Sequence, residues 1–182
     1  MKRCWLVILC IIYCCMTSFA TALIPSPCLL EVSQGYFQIK KKNVVVYAED
    51  TTIVSIHFLL KEIIEIGDLS IKRTKNPQKT DISFIVNEKA HQEGYKLTIS
   101  TQRIQIEAKS KAGFIYAART LQQWRRNDEK GHMVFDCVQI EDAPRMSWRG
   151  FMLDSGRQYQ SVSTIKKYIE MASIKRYWKT IP

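Results

Sequence analysis

Apolar residues recur along the chain with two periods, near two and near three and a half, and the switches between them lay out the elements. Tyr95, Leu97 and Ile99 alternate strictly with polar neighbours, and Ile104, Ile106 and Ala108 repeat the pattern beyond a turn at Gln102-Arg103. Such alternation predicts two half-buried strands joined as a hairpin. Tyr36, Phe37 and Ile39 predict a short strand, Val44-Val45-Val46-Tyr47 a buried one, and Leu69 to Thr74 and Ile82, Phe84 and Val86 two more. Val134, Phe135, Val138 and Ile140 predict a last strand. Two stretches carry the helical period instead. From Thr51, Ile53, Ile56, Leu59, Leu60 and Ile63 form a stripe that Gly67 ends; after Ser110, a candidate cap, Phe114, Ala117, Ala118, Leu121 and Trp124 form another. The expected fold of residues 23–145 is therefore an α+β domain, an antiparallel or mixed sheet with two helices on one face. Asn76-Pro77 reads as a loop, and Pro144 in Asp142-Ala143-Pro144-Arg145 interrupts the strand pattern and marks a domain boundary.

Beyond that boundary the pattern changes. Trp148-Arg149-Gly150 leads into the apolar Phe151-Met152-Leu153, then Asp154, Ser155, Gly156 and Arg157 follow in quick succession. A short apolar run ending in polar and glycine residues predicts a buried parallel strand whose carboxyl end delivers chemistry. Ser161 or Ser163 can cap a following helix, with Ile165, Tyr168, Ile169, Ala172 and Ile174 as its apolar face. Arg157 sits at the mouth of this unit, with Asp154 in support and Arg149 at the strand's entry as a structural residue.

The first 22 residues stand apart. Lys2 and Arg3 precede an apolar run from Trp5 to Met16, and Ala20-Thr21-Ala22 is an A-x-A cleavage signal. The run falls short of the roughly 20 residues a membrane span needs, so residues 1–22 read as a secretory signal peptide and the protein as exported, to a periplasmic, extracellular or lysosome-like compartment, with no membrane span after its removal. The leader takes with it four of the six cysteines, leaving Cys28 and Cys137, and lowers the net charge from +10 to +8. Export permits a disulfide between the two without requiring one, and no zinc spacing is present. The remaining basic residues are scattered, with no stripe of interleaved aromatics, which argues against nucleic acid as a partner.

Trp148 to Tyr159, with the Ser163–Tyr177 segment after it, resembles the first β/α unit of the family-twenty glycoside hydrolases, the β-N-acetylhexosaminidases: Trp or His before Arg-Gly, an apolar run, Asp, two small residues, Arg-His-Tyr/Phe, then a helix with Met-Ala and Lys. Gln158 departs from it, standing where the family usually has His. Glu93 to Ile99, Ala112 to Tyr116 and Thr120 to Gln123 resemble that family's non-catalytic N-terminal domain, Ile140 to Arg145 its junction to the catalytic barrel, and Leu23 to Pro27 its mature start. The resemblance implies that residues 146–182 are the first strand and helix of a (β/α)8 TIM barrel, that Arg157 holds hydroxyls of the cleaved sugar, and that the partner is a glycan ending in N-acetylglucosamine or N-acetylgalactosamine. No cofactor and no metal are expected.

The family's chemistry needs a glutamic acid to protonate the leaving oxygen and an adjacent aspartate to orient the substrate's own acetamido group, the nucleophile. The family carries these as an Asp-Glu pair after His-x-Gly-Gly, a motif not found in these 182 residues. Asp128-Glu129 lies ahead of the boundary in a charge-rich turn, and His57 sits among Ile56, Phe58 and Leu59 on a predicted helix. No catalytic residue is therefore assigned. A barrel takes about 250 residues and 33 follow Arg149, so the chain reads as an N-terminal fragment, inactive alone. Two other readings compete: a non-catalytic structural or glycan-contacting module, and a basic surface binder whose affinity would fall steeply with salt.

Overall fold

The structure is a computed structural model that describes residues 23–39, 43–48, 70–76, 78–150, 152–154 and 156–174. Its strands are β1 (Leu29–Gln38), β2 (Asn43–Ala48), β3 (Ser70–Thr74), β4 (Ile82–Val86), β5 (Tyr95–Ile99), β6 (Ile104–Ala108), β7 (Arg125–Asn127) and β8 (Met133–Asp142). Two helices are described, α1 (Lys111–Trp124) between β6 and β7, and α2 (Val162–Ile174) after the boundary. The strands form one mixed sheet in the order β1-β8-β5-β6-β4-β2-β3, with β7 also on β8.

The sheet has a parallel half and an antiparallel half. The pairs β3-β2, β2-β4 and β4-β6 are parallel, and β6-β5, β5-β8, β8-β1 and β8-β7 are antiparallel. Parallel pairing of β2 with β3 demands a crossover between them; residues 49–69, where the first helix was predicted, lie outside the described residues, as does His57. β7 and β5 share one edge of β8 end to end, β7 taking Met133–Phe135 and β5 Val138–Asp142.

The predicted hairpin forms as drawn. Tyr95, Leu97, Ile99, Ile104, Ile106 and Ala108 are all buried, and the residues between them are partly exposed on the other face. There Lys96 faces Glu141 across the β5–β8 ladder, Nζ to Oε1 2.7 Å. α1 covers the buried face. Ser110 caps it, accepting a hydrogen bond from the Gly113 amide, and Phe114, Ala117, Ala118, Leu121 and Trp124 are buried. Phe114 meets Phe84 of β4 edge to face, centroids 5.8 Å apart. The buried Tyr95 hydroxyl lies 2.6 Å from Thr120 Oγ1, which also donates to the Tyr116 carbonyl. At Gly113 the helix lies close against the turn before β5 and against β6: a Cβ there would stand 2.3 Å from the Gly94 carbonyl oxygen and 2.9 Å from Ala108 Cβ.

Three sequence expectations need correction or extension. β1 reaches back to Leu29, well before Tyr36. Its first eight residues are mostly exposed, so pairing with β8, not an apolar face, holds them. A register shift between Val32 and Tyr36 bulges this strand at Gly35, whose φ of +97° only glycine adopts freely. β7 is Arg-Arg-Asn, with no apolar period to announce it. The buried strand predicted at Phe151-Met152-Leu153 is not formed by the described residues 152 and 153: they are irregular, and Met152 is 90% exposed. A strand is held by a ladder, and no described neighbour supplies one there. Phe151 lies outside the described residues.

Among the described residues the two cysteines are free thiols, Cys28 exposed and Cys137 buried. The Cys28 amide bonds Asp142 at the far end of β8, five positions from Cys137. At about 3.3 Å per residue that is some 16 Å, more than twice the Cα separation a disulfide tolerates. Burial, aided by Asp136, pushes the Cys137 thiol pKa up.

Candidate functional site

Asp154 and Arg157 meet in one loop. The Asp154 carboxylate accepts hydrogen bonds from the backbone amides of Gly156, at 2.9 Å, and Arg157, at 3.4 Å. This is an Asx turn, the local use a short acidic side chain makes of the backbone after it. The same carboxylate lies 3.8 Å from Arg157 Nε. The Arg157 side chain is 94% exposed, and Gln158 and Tyr159 are exposed beside it. Asp154 thus shapes the loop that presents Arg157, and the guanidinium offers its forked donors to the solvent. An exposed pair of this kind contributes about 0–1 kcal/mol. Ser161 accepts from the Thr164 amide and caps α2.

Arg149 has a different setting. It lies just past Pro144, yet its side chain is only 14% exposed. Nη2 donates to Glu93 Oε2 at 2.6 Å and to the Tyr116 hydroxyl at 3.2 Å, and Nη1 to the Met146 carbonyl. The guanidinium also sits over the Tyr116 ring, 5.9 Å from its centroid. Burial works against its charge, but the bonds to Glu93 and Tyr116 outweigh it and the pKa is raised. Glu93 and Tyr116 were not singled out by sequence. Both belong to segments that resemble the family's N-terminal domain, but nothing in their residue types points to a shared arginine.

Two clefts flank the boundary. One, of about 500 Å³, is lined mainly by apolar groups including Ile24, Pro25, Pro144, Met146 and Trp148. The other, of about 540 Å³, is lined by charged and apolar groups together, among them Lys96, Glu107, Glu141, Cys28, Leu29 and Tyr95. Asp128 is occupied in its turn, accepting from the Lys130 and His132 amides and facing the His132 ring at 3.0 Å. That is the structural part expected of it. Among the described residues no three His, Cys, Asp or Glu side chains gather as a metal site, and no helix is long and apolar enough to cross a membrane.

Comparison with known proteins supplies the rest. Residues 20–143 match the family model described as glycosyl hydrolase family 20, domain 2, and residues 146–178 match the catalytic domain of the same family. A beta-N-acetylhexosaminidase of Cellulomonas fimi is 29% identical over 156 residues, 81% of this chain and 31% of its own length. The solved beta-N-acetylhexosaminidase of Bacteroides fragilis superposes with a TM-score of 0.76 at 38% identity, over 85% of this chain and 31% of that one. An exo beta-N-acetylglucosaminidase of Vibrio harveyi, solved in complex with N-acetylglucosamine, gives 0.73 at 32% identity, over 84% of this chain and 24% of that one. The chain therefore spans about a third or less of these relatives' length.

Proposed function

The chain belongs to glycosyl hydrolase family 20, and on that premise we propose that it is the N-terminal part of an exported β-N-acetylhexosaminidase, acting on glycans that end in N-acetylglucosamine or N-acetylgalactosamine. The observation that carries this reading is the tandem order of the two family matches, which meet within three residues of each other around Pro144. The surface beyond Pro144 supports it. Met146, Trp148, Met152, Tyr159, Val162, Ile169 and Met171 are each at least half exposed. A run of large apolar side chains on a surface marks a face made to be covered, as the first unit of a (β/α)8 TIM barrel is covered by its neighbours.

In this reading Arg157 holds sugar hydroxyls and Asp154 keeps its loop in shape. Retention by the substrate's acetamido group still needs a proton donor and a carboxylate to steady the charged intermediate. Arg157 cannot donate the proton, since a guanidinium stays protonated throughout, and Asp154 is engaged with two backbone amides. General acid catalysis alone contributes about 10²–10⁴-fold, and an open, wet site forgoes electrostatic stabilisation as well. These 182 residues alone therefore bind the sugar weakly and hydrolyse nothing. The leader, with Lys2, Arg3 and Ala20-Thr21-Ala22, supports export.

The purified chain, assayed with a chromogenic aryl N-acetyl-glucosaminide beside Arg157→Ala, should show no turnover above background in either form. Robust turnover that Arg157→Ala abolishes would refute the account of the missing acid. N-terminal sequencing of exported protein should start near Leu23, and recovery of Met1 would overturn the leader assignment.

A further inference from the structure

We propose that Arg149 is a positioning residue: held by Glu93 and Tyr116, it fixes the segment carrying Asp154 and Arg157 against the domain that precedes it. The inference rests on the reading of that segment as the start of the catalytic domain. Its grounds are geometric. Glu93 lies in the turn before β5 and Tyr116 on α1, so both stand on the sheet-and-helix body, whereas Arg149 stands beyond Pro144. One guanidinium spans the gap. Its Nη1 binds the Met146 carbonyl, closing a turn within its own segment, and its Nη2 binds Glu93 and the Tyr116 hydroxyl on the body. A single side chain thereby both shapes the segment and docks it.

The chemistry suits only arginine. A planar fork reaches two directions at once, and its face stacks on Tyr116; a lysine ammonium is a point charge that can keep Glu93 but not the whole set. Glu93 is 20% exposed and Arg149 14%, so water screens this pair less than it screens the Asp154–Arg157 pair. Between Asp142 and Val162 no described residue joins the sheet. Backbone pairing therefore does not orient the stretch, and side-chain ties must.

The test is ¹⁵N relaxation on the purified full chain, reading the amides of Ser147, Trp148, Gly150 and Met152. Order parameters near 0.85, the rigid range, are expected in the wild type and below about 0.6 in Arg149→Met, with the Tyr95–Ala108 hairpin unchanged. Arg149→Lys should fall between. Glu93→Gln should loosen the same amides, and the double variant Glu93→Gln/Arg149→Met should loosen them no further than Arg149→Met alone. Arg145→Met, at an exposed arginine of the same stretch, should change nothing. The proposal is overturned if the wild-type segment is already mobile, if Arg149→Met leaves it rigid, if the two losses add in full, or if disorder spreads into the hairpin. The last result would make Arg149 a support of the fold as a whole. No sugar enters this experiment, so its outcome is separate from that of the activity assay.

Discussion

Replacing Gly113 by alanine sets two physical effects of opposite sign against each other. Gly113 lies in the first turn of α1, one position before Phe114. Intrinsic propensity favours alanine there, by about 1 kcal/mol in a helix interior. Packing opposes it. The new Cβ would stand 2.3 Å from the Gly94 carbonyl oxygen, 2.9 Å from Ala108 Cβ and 3.2 Å from the Gly94 carbonyl carbon. None of these is the far end of a flexible side chain; two are backbone, and Ala108 is a fully buried residue of β6. Relief requires α1 to lift from the sheet, which would part Phe114 from Phe84 and strain the bond between Tyr95 and Thr120. Overpacking typically costs 1–3 kcal/mol and occasionally more, and a backbone contact this short belongs at the upper end. The net expectation is a loss of about 2 kcal/mol. With a urea m-value of about 2 kcal/mol/M, the unfolding midpoint should fall by roughly 1 M. Gly131→Ala is the control: its φ is +79° but nothing lies within 4 Å of the new Cβ, so the backbone cost alone, about 1 kcal/mol, remains. A midpoint that rises in Gly113→Ala would show that propensity governs this position and that helix and sheet are not in the contact described.

Tyr95→Phe removes the hydroxyl from Thr120 but leaves Thr120 its bond to the Tyr116 carbonyl; the expected loss is about 1 kcal/mol in equilibrium unfolding, and Thr120→Val in the same background should add less than it does alone. Peptide-resolved alkylation should modify Cys28 in the folded protein and Cys137 only on unfolding, since Cys137 is buried and its thiol pKa is raised by that burial. Asp128 should make stability depend on pH. Burial tends to raise its pKa, but the bonds from the His132 amide, the His132 ring and the Lys130 amide prevail and hold it below 3.8. A depressed carboxyl stabilises above its unfolded pKa and loses that contribution as pH falls through the folded one. The gap in Tm between wild type and Asp128→Ala should therefore be full above pH 4 and narrow below it; a constant gap would rule this out.

What the chain discloses in its residues follows from which forces act locally. The hairpin and α1 were legible because their burial repeats with the backbone period, and because Ser110 caps through its neighbours. The front of β1 and all of β7 were not: β1 is held by a ladder to a distant β8 and β7 by a short hairpin with it, and the side chains of both mostly face solvent. Met152-Leu153 misled for the converse reason: an apolar run expresses a need for burial, and strand geometry comes only from a partner. The loop of Asp154 and Arg157 was readable from four consecutive residues. The surroundings of Arg149 were not, because Glu93 and Tyr116 lie 56 and 33 positions away in sequence.

The bond from the Cys28 amide to the Asp142 carboxylate has a topological consequence. The chain enters the sheet on β1 and leaves it on β8 at the same corner, with Leu29 opposite Glu141, so the domain is a closed circuit whose two doors adjoin. A circuit can be rewired without moving its doors. Joining Cys28 to Ala143 by a short linker and reopening the backbone in the exposed turn at Glu129–Gly131 should leave every ladder intact. Insertions in that turn would likewise grow outward on the far side and leave the exit at Ala143 pointing the same way. Whatever follows Ala143 is thus insulated from length changes in the circuit, and its direction answers to the corner alone.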